Sequence, residues 1–301
     1  MTIMAAAAGE HFMAHPSTRI GYVSLNVSDI PQSLEFYQSI LGFEAVGRPS
    51  GDRALLSSGG NSKHLVELHK AAKPAGYEKK RAGLYHFAML LPERKFLADA
   101  LVLLGERRGQ VHFDGMADHG VSESVYIRDP DFNGIEIYRD KPRAEWQLLS
   151  GGRVKMVTER LDTENLLAQA TTAGWKGVPA GTAIGHVHLH VRDLDKAMQF
   201  YSQALGFGLT LALPGAYFFA AGSYHHHVAV NTWLGNDVVA AASPEEEEVG
   251  LNHFAIKVPD EKELQRATNN LSSRGVLLAS QERGSVTVRD PDGIAIKLYY
   301  K

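Results

Sequence analysis

The chain has 301 residues, with 31 Lys+Arg against 34 Asp+Glu, 14 His and no cysteine. That length suits about two domains of roughly 150 residues each, and a net charge of −3 offers no electrostatic footprint for nucleic acid. The missing cysteine excludes disulfides, thiolate metal sites, iron–sulfur clusters and a Cys nucleophile, which leaves histidine as the borderline-soft ligand. No apolar run reaches the ~18 residues of a membrane span, and Met1–Ser17 lacks the basic start and long apolar stretch of a signal peptide. A cytoplasmic protein with no membrane partner is expected, with residues 1–17 as a mobile tail.

In chain order, Val23, Leu25 and Val27 alternate with polar neighbours, the period-2 sign of a half-buried strand. Leu34, Phe36, Tyr37 and Ile40–Leu41 then recur at helical spacing, and Gly42 is placed to stop the helix. Short strands follow, ending in HLVELH at His64–His69. The pattern restarts with a strand at Tyr85–Leu91, a helix over Glu93–Leu104 and strands at Val125–Arg128 and Gly134–Tyr138. A long connection, 141–183, carries one helical stretch near Thr163–Ala173, punctuated by Pro142, Gly151–Gly152 and Pro179–Gly181. Pro244 and Glu245–Glu248 read as a solvated loop whose acidic run aids solubility.

The sequence then repeats itself. IGYVSLNVSDIPQSLEFYQSILGFE at Ile20 returns as IGHVHLHVRDLDKAMQFYSQALGFG at Ile184, with eleven of 25 positions identical and no gap. GLYHFAMLLP at Gly83 returns as GLNHFAIKVP at Gly250, and IRDPDFNGIEIY at Ile127 as VRDPDGIAIKLY at Val288. The unit is strand–helix–strands, and it occurs four times. This divides the chain into a tail (1–17), a first two-unit domain (18–140), a linker with a helix (141–183) and a second two-unit domain (184–301).

Four such units, with GLYHFA, ADHGVSESVY, DPDFNGIEIY, IGHVHLHV and YHHHVAVNTW in that order, resemble the vicinal oxygen chelate superfamily of glyoxalases, bleomycin-resistance proteins and extradiol dioxygenases. The resemblance is nearest to the bacterial catechol 2,3-dioxygenase group. It implies an α+β fold in which βαβββ modules pair into two cup-shaped mixed sheets, each concave face suited to a divalent metal. Ligands in such proteins come from the start of strand one and the middle of strand four. Carried over, unit one offers Tyr22 and Glu67, unit two His86 and Glu136, unit three His186 and Ala229, and unit four His253 and Ala295. Pairing within halves gives neither cup two histidines and a carboxylate. Pairing unit two with unit three gives His86, His186 and Glu136, the set that leaves open positions on a non-haem Fe(II), with Mn(II) as the alternative.

The residues themselves agree with this choice. In GIEIY, Ile135 and Ile137 point one way and Glu136 the other. In HVHLHV, Val187, Leu189 and Val191 would pack on a helix while His186, His188 and His190 line the opposite face. A strand carboxylate exposed to solvent is the bland alternative for Glu136. A second site around Tyr22, Glu67 and His253 stays open. The resemblance further implies His226, Tyr126 and His119 as acid–base and active-site residues. Strict alternation would instead put His225 and His227 on the ligand face, a conflict that keeps His227 as the alternative acid–base residue and that a bulge before Val228 would remove. Phe218 and Trp233 are aromatic candidates for the pocket wall. The implied activity is Fe(II)-dependent extradiol cleavage of an aromatic diol by O2, giving a 2-hydroxymuconic semialdehyde-type product. The diol could be catechol, a substituted catechol, a bicyclic diol or hydroquinone. A glyoxalase-like lyase or isomerase and a non-catalytic bleomycin-resistance-like binding protein are the rivals. Whether the chain forms a homo-oligomer is left open.

Overall fold

The computed structural model describes residues 12–47, 50–60, 63–73, 80–149, 154–243 and 246–301. Unit one comprises β1 (Arg19–Val27), α1 (Ile30–Leu34), β2 (Glu44–Ala45), β3 (Arg53–Ser57) and β4 (Val66–Lys70). Unit two comprises β5 (Gly83–Leu90), α2 (Arg94–Glu106), β6 (His112–Asp118), β7 (Ser122–Arg128) and β8 (Gly134–Asp140). After a connection bearing α3 (Thr163–Leu167), unit three has β9 (Ala183–His190), α4 (Leu194–Ala197), β10 (Gly208–Leu213), β11 (Ala216–Ala220) and β12 (Val228–Asn231). Unit four has β13 (Gly250–Lys257), α5 (Glu261–Ser273), β14 (Leu278–Glu282), β15 (Ser285–Arg289) and β16 (Ala295–Tyr299). The four βαβββ modules are therefore present. Helices α1 and α4 each run on into a π-helical segment, Glu35–Ile40 and Met198–Ala204. Gly42 and Gly206 end these segments at φ 81° and 78°, a conformation that costs glycine nothing.

The strands form two eight-stranded mixed sheets, ordered β14-β15-β16-β13-β1-β4-β3-β2 and β10-β11-β12-β9-β5-β8-β7-β6. Each sheet thus draws one unit from either half of the sequence: one joins units one and four, the other units two and three. The halves 18–140 and 184–301 mark the repeat, but neither half forms a sheet by itself. The joints are antiparallel pairs of first strands, β1 with β13 and β5 with β9. A glycine makes each joint close. A Cβ at Gly185 would meet the Tyr138 hydroxyl at 1.8 Å, and one at Gly21 would meet that of Tyr299 at 2.2 Å. The repeated Ile-Gly opening of units one and three is thus the seat for the closing tyrosine of the partner unit.

The apolar faces of both sheets and the helices share one continuous core. Val23, Leu25, Phe87, Met89, Ile135, Ile137, Val187 and Leu189 all lie in it, with Tyr37, Leu97, Tyr201 and Leu264 from the helices. Because side chains alternate across a strand, this burial turns the intervening residues, His86, Glu136 and His186 among them, to the concave face.

Three details depart from expectation. Of the stretch 1–17, expected to be mobile, residues 12–17 are docked: Ala14 N donates to Gly206 O at 2.8 Å, and Phe12 and Ala14 pack on the core. Residues 1–11 lie outside the described residues. The linker helix ends at Leu167, short of Ala173, and Thr171 turns aside to donate its N–H and hydroxyl to Asp99 of α2 at 2.7 and 2.8 Å. In the acidic loop, Glu248 pairs with Arg81 at 3.3 Å, which makes it a tether between units two and four; Pro244, Glu245 and Gly151–Gly152 lie outside the described residues. Among the described residues no helix is long and apolar enough to cross a membrane.

Candidate metal centre

In the β5/β9 cup, His86 from β5, Glu136 from β8 and His186 from β9 converge. Their candidate ligand atoms all lie within 4.8 Å of one another. His86 Nε2 and His186 Nε2 stand 3.0 and 2.9 Å from the same oxygen, Glu136 Oε2. All three residues are buried, at 5, 2 and 2% exposure. Register produces this convergence: Ala88 sits opposite both His186 and Glu136, so the side chains flanking it meet above the sheet. The other carboxylate oxygen, Glu136 Oε1, accepts from Ser124 Oγ at 2.5 Å, which fixes the rotamer.

Burial alone would raise the Glu136 carboxyl, but the adjacent His186 and His86 rings outweigh it and hold it well below the usual carboxylate range. Burial holds His86 below the usual histidine range, with Glu136 opposing. Neutral imidazole beside carboxylate is the protonation state a metal requires. A further observation fits a cation. His86 Nε2 is buried with no hydrogen-bond partner, although a carboxylate oxygen lies 3.0 Å away. The nitrogen lone pair is therefore directed elsewhere than along that contact. Ligand atoms about 2.1 Å from a common ion and at right angles about it stand ~3 Å apart, the separation of each imidazole nitrogen from Glu136 Oε2. The fourth equivalent position, Ala229, is buried beside His188 and offers no ligand.

The cavity over this site has a volume of about 590 Å³. His119, Tyr126, His188, Phe218, His226 and Trp233 line it together with the triad. Tyr126 lies directly across from Glu136, and its hydroxyl is 2.8 Å from His119 Nε2. His119 Nδ1 is 2.8 Å from the Val157 carbonyl, which can only accept; Nδ1 therefore carries a proton, which in the neutral tautomer leaves Nε2 to accept from Tyr126. Burial, then the Glu136 charge, push the Tyr126 phenol well above its usual range.

The three consecutive histidines separate. They precede β12 in irregular backbone, so alternation does not bind them. His226 enters the cavity, its ring 4.1 Å from that of His186. His227 turns away and accepts from Ala221 N at 3.2 Å. His225 is fully buried, between Asp140 and His226. His190 bonds Asn231 at 2.8 Å, and Asn231 in turn reaches His188 at 2.9 Å.

Sequence reasoning placed His225 on the ligand face and missed its bond to Asp140; it also missed Ser124, and Met156, Val157 and Thr158, by which the connection after unit two closes one wall. No periodicity marks those last three; His225 was visible in the histidine run, but its role depends on Asp140, 85 residues away.

The β1/β13 cup gathers no such set: among the described residues the triad above is the one group of metal-ligating side chains close enough to share an ion. Glu67 is engaged by Arg53, whose Nε donates at 2.8 Å, and by His69 at 3.2 Å. His253 meets Tyr22 Oη at 3.3 Å. The unit-four counterpart of Glu136 is also not Ala295. Glu136, Glu67 and Ala229 each pair with the residue two beyond the ligand position of the adjoining first strand, and in unit four that register selects Lys297, opposite Ala255.

Two cups of paired βαβββ modules with ligands on first and last strands define a vicinal-oxygen-chelate architecture, and the profile of the Glyoxalase/Bleomycin resistance protein/Dioxygenase superfamily matches residues 19–137 and 183–298. The chain belongs to that superfamily. It is similar to a protein of Bacillus subtilis (strain 168) named catechol-2,3-dioxygenase, at 37% identity over 279 residues, covering 92% of this chain and 95% of that one. Among solved structures, glyoxalase I from Zea mays superposes with a TM-score of 0.57 at 15% identity, over 94% of this chain and 92% of that one. A Bacillus subtilis structure reaches 0.65 at 13% identity, over 96% and 86%. At such identities these two speak for the fold alone.

Proposed function

We propose that the protein is an Fe(II)-dependent extradiol dioxygenase, inserting both atoms of O2 into an uncharged catechol-type diol to give a 2-hydroxymuconic semialdehyde-type product. The observation that carries this reading is the His86–Glu136–His186 triad with alanine at the fourth position. Three ligands on one side leave room for a bidentate diol and dioxygen together, whereas a lyase that polarises one substrate gains nothing from so open a site. Likeness to a named catechol-2,3-dioxygenase along nearly the whole chain supports it.

The chemistry a bound Fe(II) supplies is acidification of the diol hydroxyls and electron exchange between diol and dioxygen. The chain's own residues supply the rest. His226, held neutral by burial and then by the neighbouring His186 and His225, presents a base to an incoming hydroxyl. Tyr126, kept protonated, is a donor anchored by His119 and the Val157 carbonyl. Tyr85, Phe218, Met156, Leu211 and Trp233 supply the apolar part of the lining over the reacting atoms.

That lining also bears on substrate class. Among the described residues it contains no Lys or Arg, and its one carboxylate besides Glu136 is Asp114, already paired with Arg128 at 2.7 Å. A substrate carboxylate would find no permanent cation there to offset its desolvation, which is costly. Catechol and its alkyl or aryl derivatives fit; carboxylated catechols do not.

The test is anaerobic reconstitution with Fe(II), or with Mn(II) in parallel, followed by diol and oxygen. A yellow product with one dioxygen consumed per catechol is expected, and 4-methylcatechol should exceed 3,4-dihydroxybenzoate in kcat/KM. Loaded metal without cleavage of either diol would overturn the dioxygenase reading; preference for the acid would overturn the uncharged-substrate reading.

A further inference from the structure

Behind the cavity wall, Asp140, His225 and His226 form a linear chain. Asp140 Oδ1 lies 2.9 Å from His225 Nε2, and His225 Nδ1 lies 2.7 Å from His226 Nδ1. His225 is 0% exposed, enclosed by the rings of Tyr224 at 4.1 Å and Trp146 at 5.4 Å. His226 is 5% exposed and borders the cavity.

Hydrogen-bond bookkeeping gives this chain a direction. A carboxylate only accepts, so His225 Nε2 must carry a proton to bond Asp140. A neutral His225 then has a bare Nδ1, which can bond another ring nitrogen only by accepting. His226 Nδ1 must therefore be the donor, and a neutral His226 is left with its lone pair on Nε2, the nitrogen not tied to His225. We propose that Asp140 and His225 are positioning residues: they fix His226 as its Nδ1-protonated tautomer, with a bare Nε2 facing the bound diol. This rests on the dioxygenase reading for its purpose, but the tautomer itself rests on the geometry.

The consequence for proton movement is specific. When the substrate O–H bond breaks, its proton forms the new bond to His226 Nε2, and the electron pair stays on the substrate oxygen. The resulting imidazolium keeps its Nδ1–H bond to His225, so its charge is stabilised through that ring by the Asp140 carboxylate. Without the chain, a neutral His226 is free to place its proton on Nε2, where it would face the diol as a donor and could not take the hydroxyl proton. The carboxylate–imidazole logic is that of a hydrolytic triad, with a second imidazole interposed.

The test reads the tautomer directly. Long-range 15N NMR of the intact chain, loaded with diamagnetic Zn(II), assigns which His226 nitrogen is protonated, without reference to turnover. The wild type should show Nδ1–H with bare Nε2. Asp140→Leu and His225→Phe should populate Nε2–H and lower kcat on catechol in the Fe(II) enzyme by about 10²-fold, with metal content and KM nearly unchanged. Asp140→Asn, which keeps an acceptor oxygen, should lie between. A wild-type His226 protonated at Nε2, or variants with unaltered tautomer and kcat, would overturn the proposal. Wild-type protein that cleaves no diol yet holds Nδ1–H would sink the dioxygenase reading while supporting the tautomer assignment.

Discussion

The two cups of this molecule share topology and register yet differ in chemistry at three of the four equivalent positions, His86 and His253 being alike. The β5/β9 cup presents His86, Glu136, His186 and Ala229; the β1/β13 cup presents Tyr22, Glu67, His253 and Lys297. Both carboxylates are buried and held below their usual range, but by different means. In each, burial opposes ionisation. At Glu136 two neutralisable imidazoles overcome it, whereas at Glu67 it is His69 together with the permanent Arg53 cation. A metal can displace protons from imidazoles, whereas Arg53 keeps its charge and would have to leave the Glu67 carboxylate before an ion could take its place. Lys297 adds like-charge repulsion against a divalent ion. The fold therefore offers two equivalent cups, and side chains at equivalent register decide which one gathers a set of ligating atoms.

The comparison breaks most sharply at the carboxylates. Glu136→Ala should lose stoichiometric metal and ring-cleaving activity while its urea midpoint stays near wild type, and Glu67→Ala should keep both, as read by metal analysis and oxygen uptake. Loss of metal from Glu67→Ala would show that the wrong cup has been assigned.

A smaller effect tests what the two halves have in common. Tyr37 donates to Asp129 and Tyr201 to Asp290, each at 2.9 Å, and each Asp also accepts two backbone N–H groups of its own turn. These equivalent latches tie unit one to unit two and unit three to unit four, across the two sheets. Tyr37→Phe and Tyr201→Phe should each cost about 1 kcal/mol in urea unfolding, by similar amounts. A large disparity would mean that the halves are not equivalent in packing.

The smallest effect is acid sensitivity in the second cup. The Glu67 carboxyl is lowered from 4.5 to about 2: burial opposes, and His69 and Arg53 prevail. Stability from a depressed carboxyl is present above the unfolded value and lost as pH falls towards the folded one. Glu67→Gln should therefore flatten the fall in unfolding free energy between about pH 4.5 and 2, as followed by urea titrations across that window. An unchanged slope would place its ionisation elsewhere.

Much of this was legible in the chain. Alternation in HVHLHV and GIEIY told which face each ligand takes, because burying Val187, Leu189, Ile135 and Ile137 forces their neighbours outward. The ligand inventory chose units two and three as partners before any strand pairing was known. The unit-four position was misread because DPDFNG and DPDG differ by two residues: aligning on Gly-Ile selects Ala295, while aligning on the closing tyrosine selects Lys297. Tyrosine is the better marker, since Tyr138 and Tyr299 are pinned over Gly185 and Gly21. The Asp140–His225 contact and the wall from Met156 to Thr158 were not legible, because non-periodic segments meet the cavity only through tertiary packing.

Which cup holds the metal can be read from anomalous diffraction at the iron edge, using crystals loaded anaerobically with Fe(II). One strong peak bounded by His86, Glu136 and His186 is expected, and none near Glu67 and His253. A peak in the β1/β13 cup, or none in the β5/β9 cup of a protein that has taken up iron, would contradict that assignment.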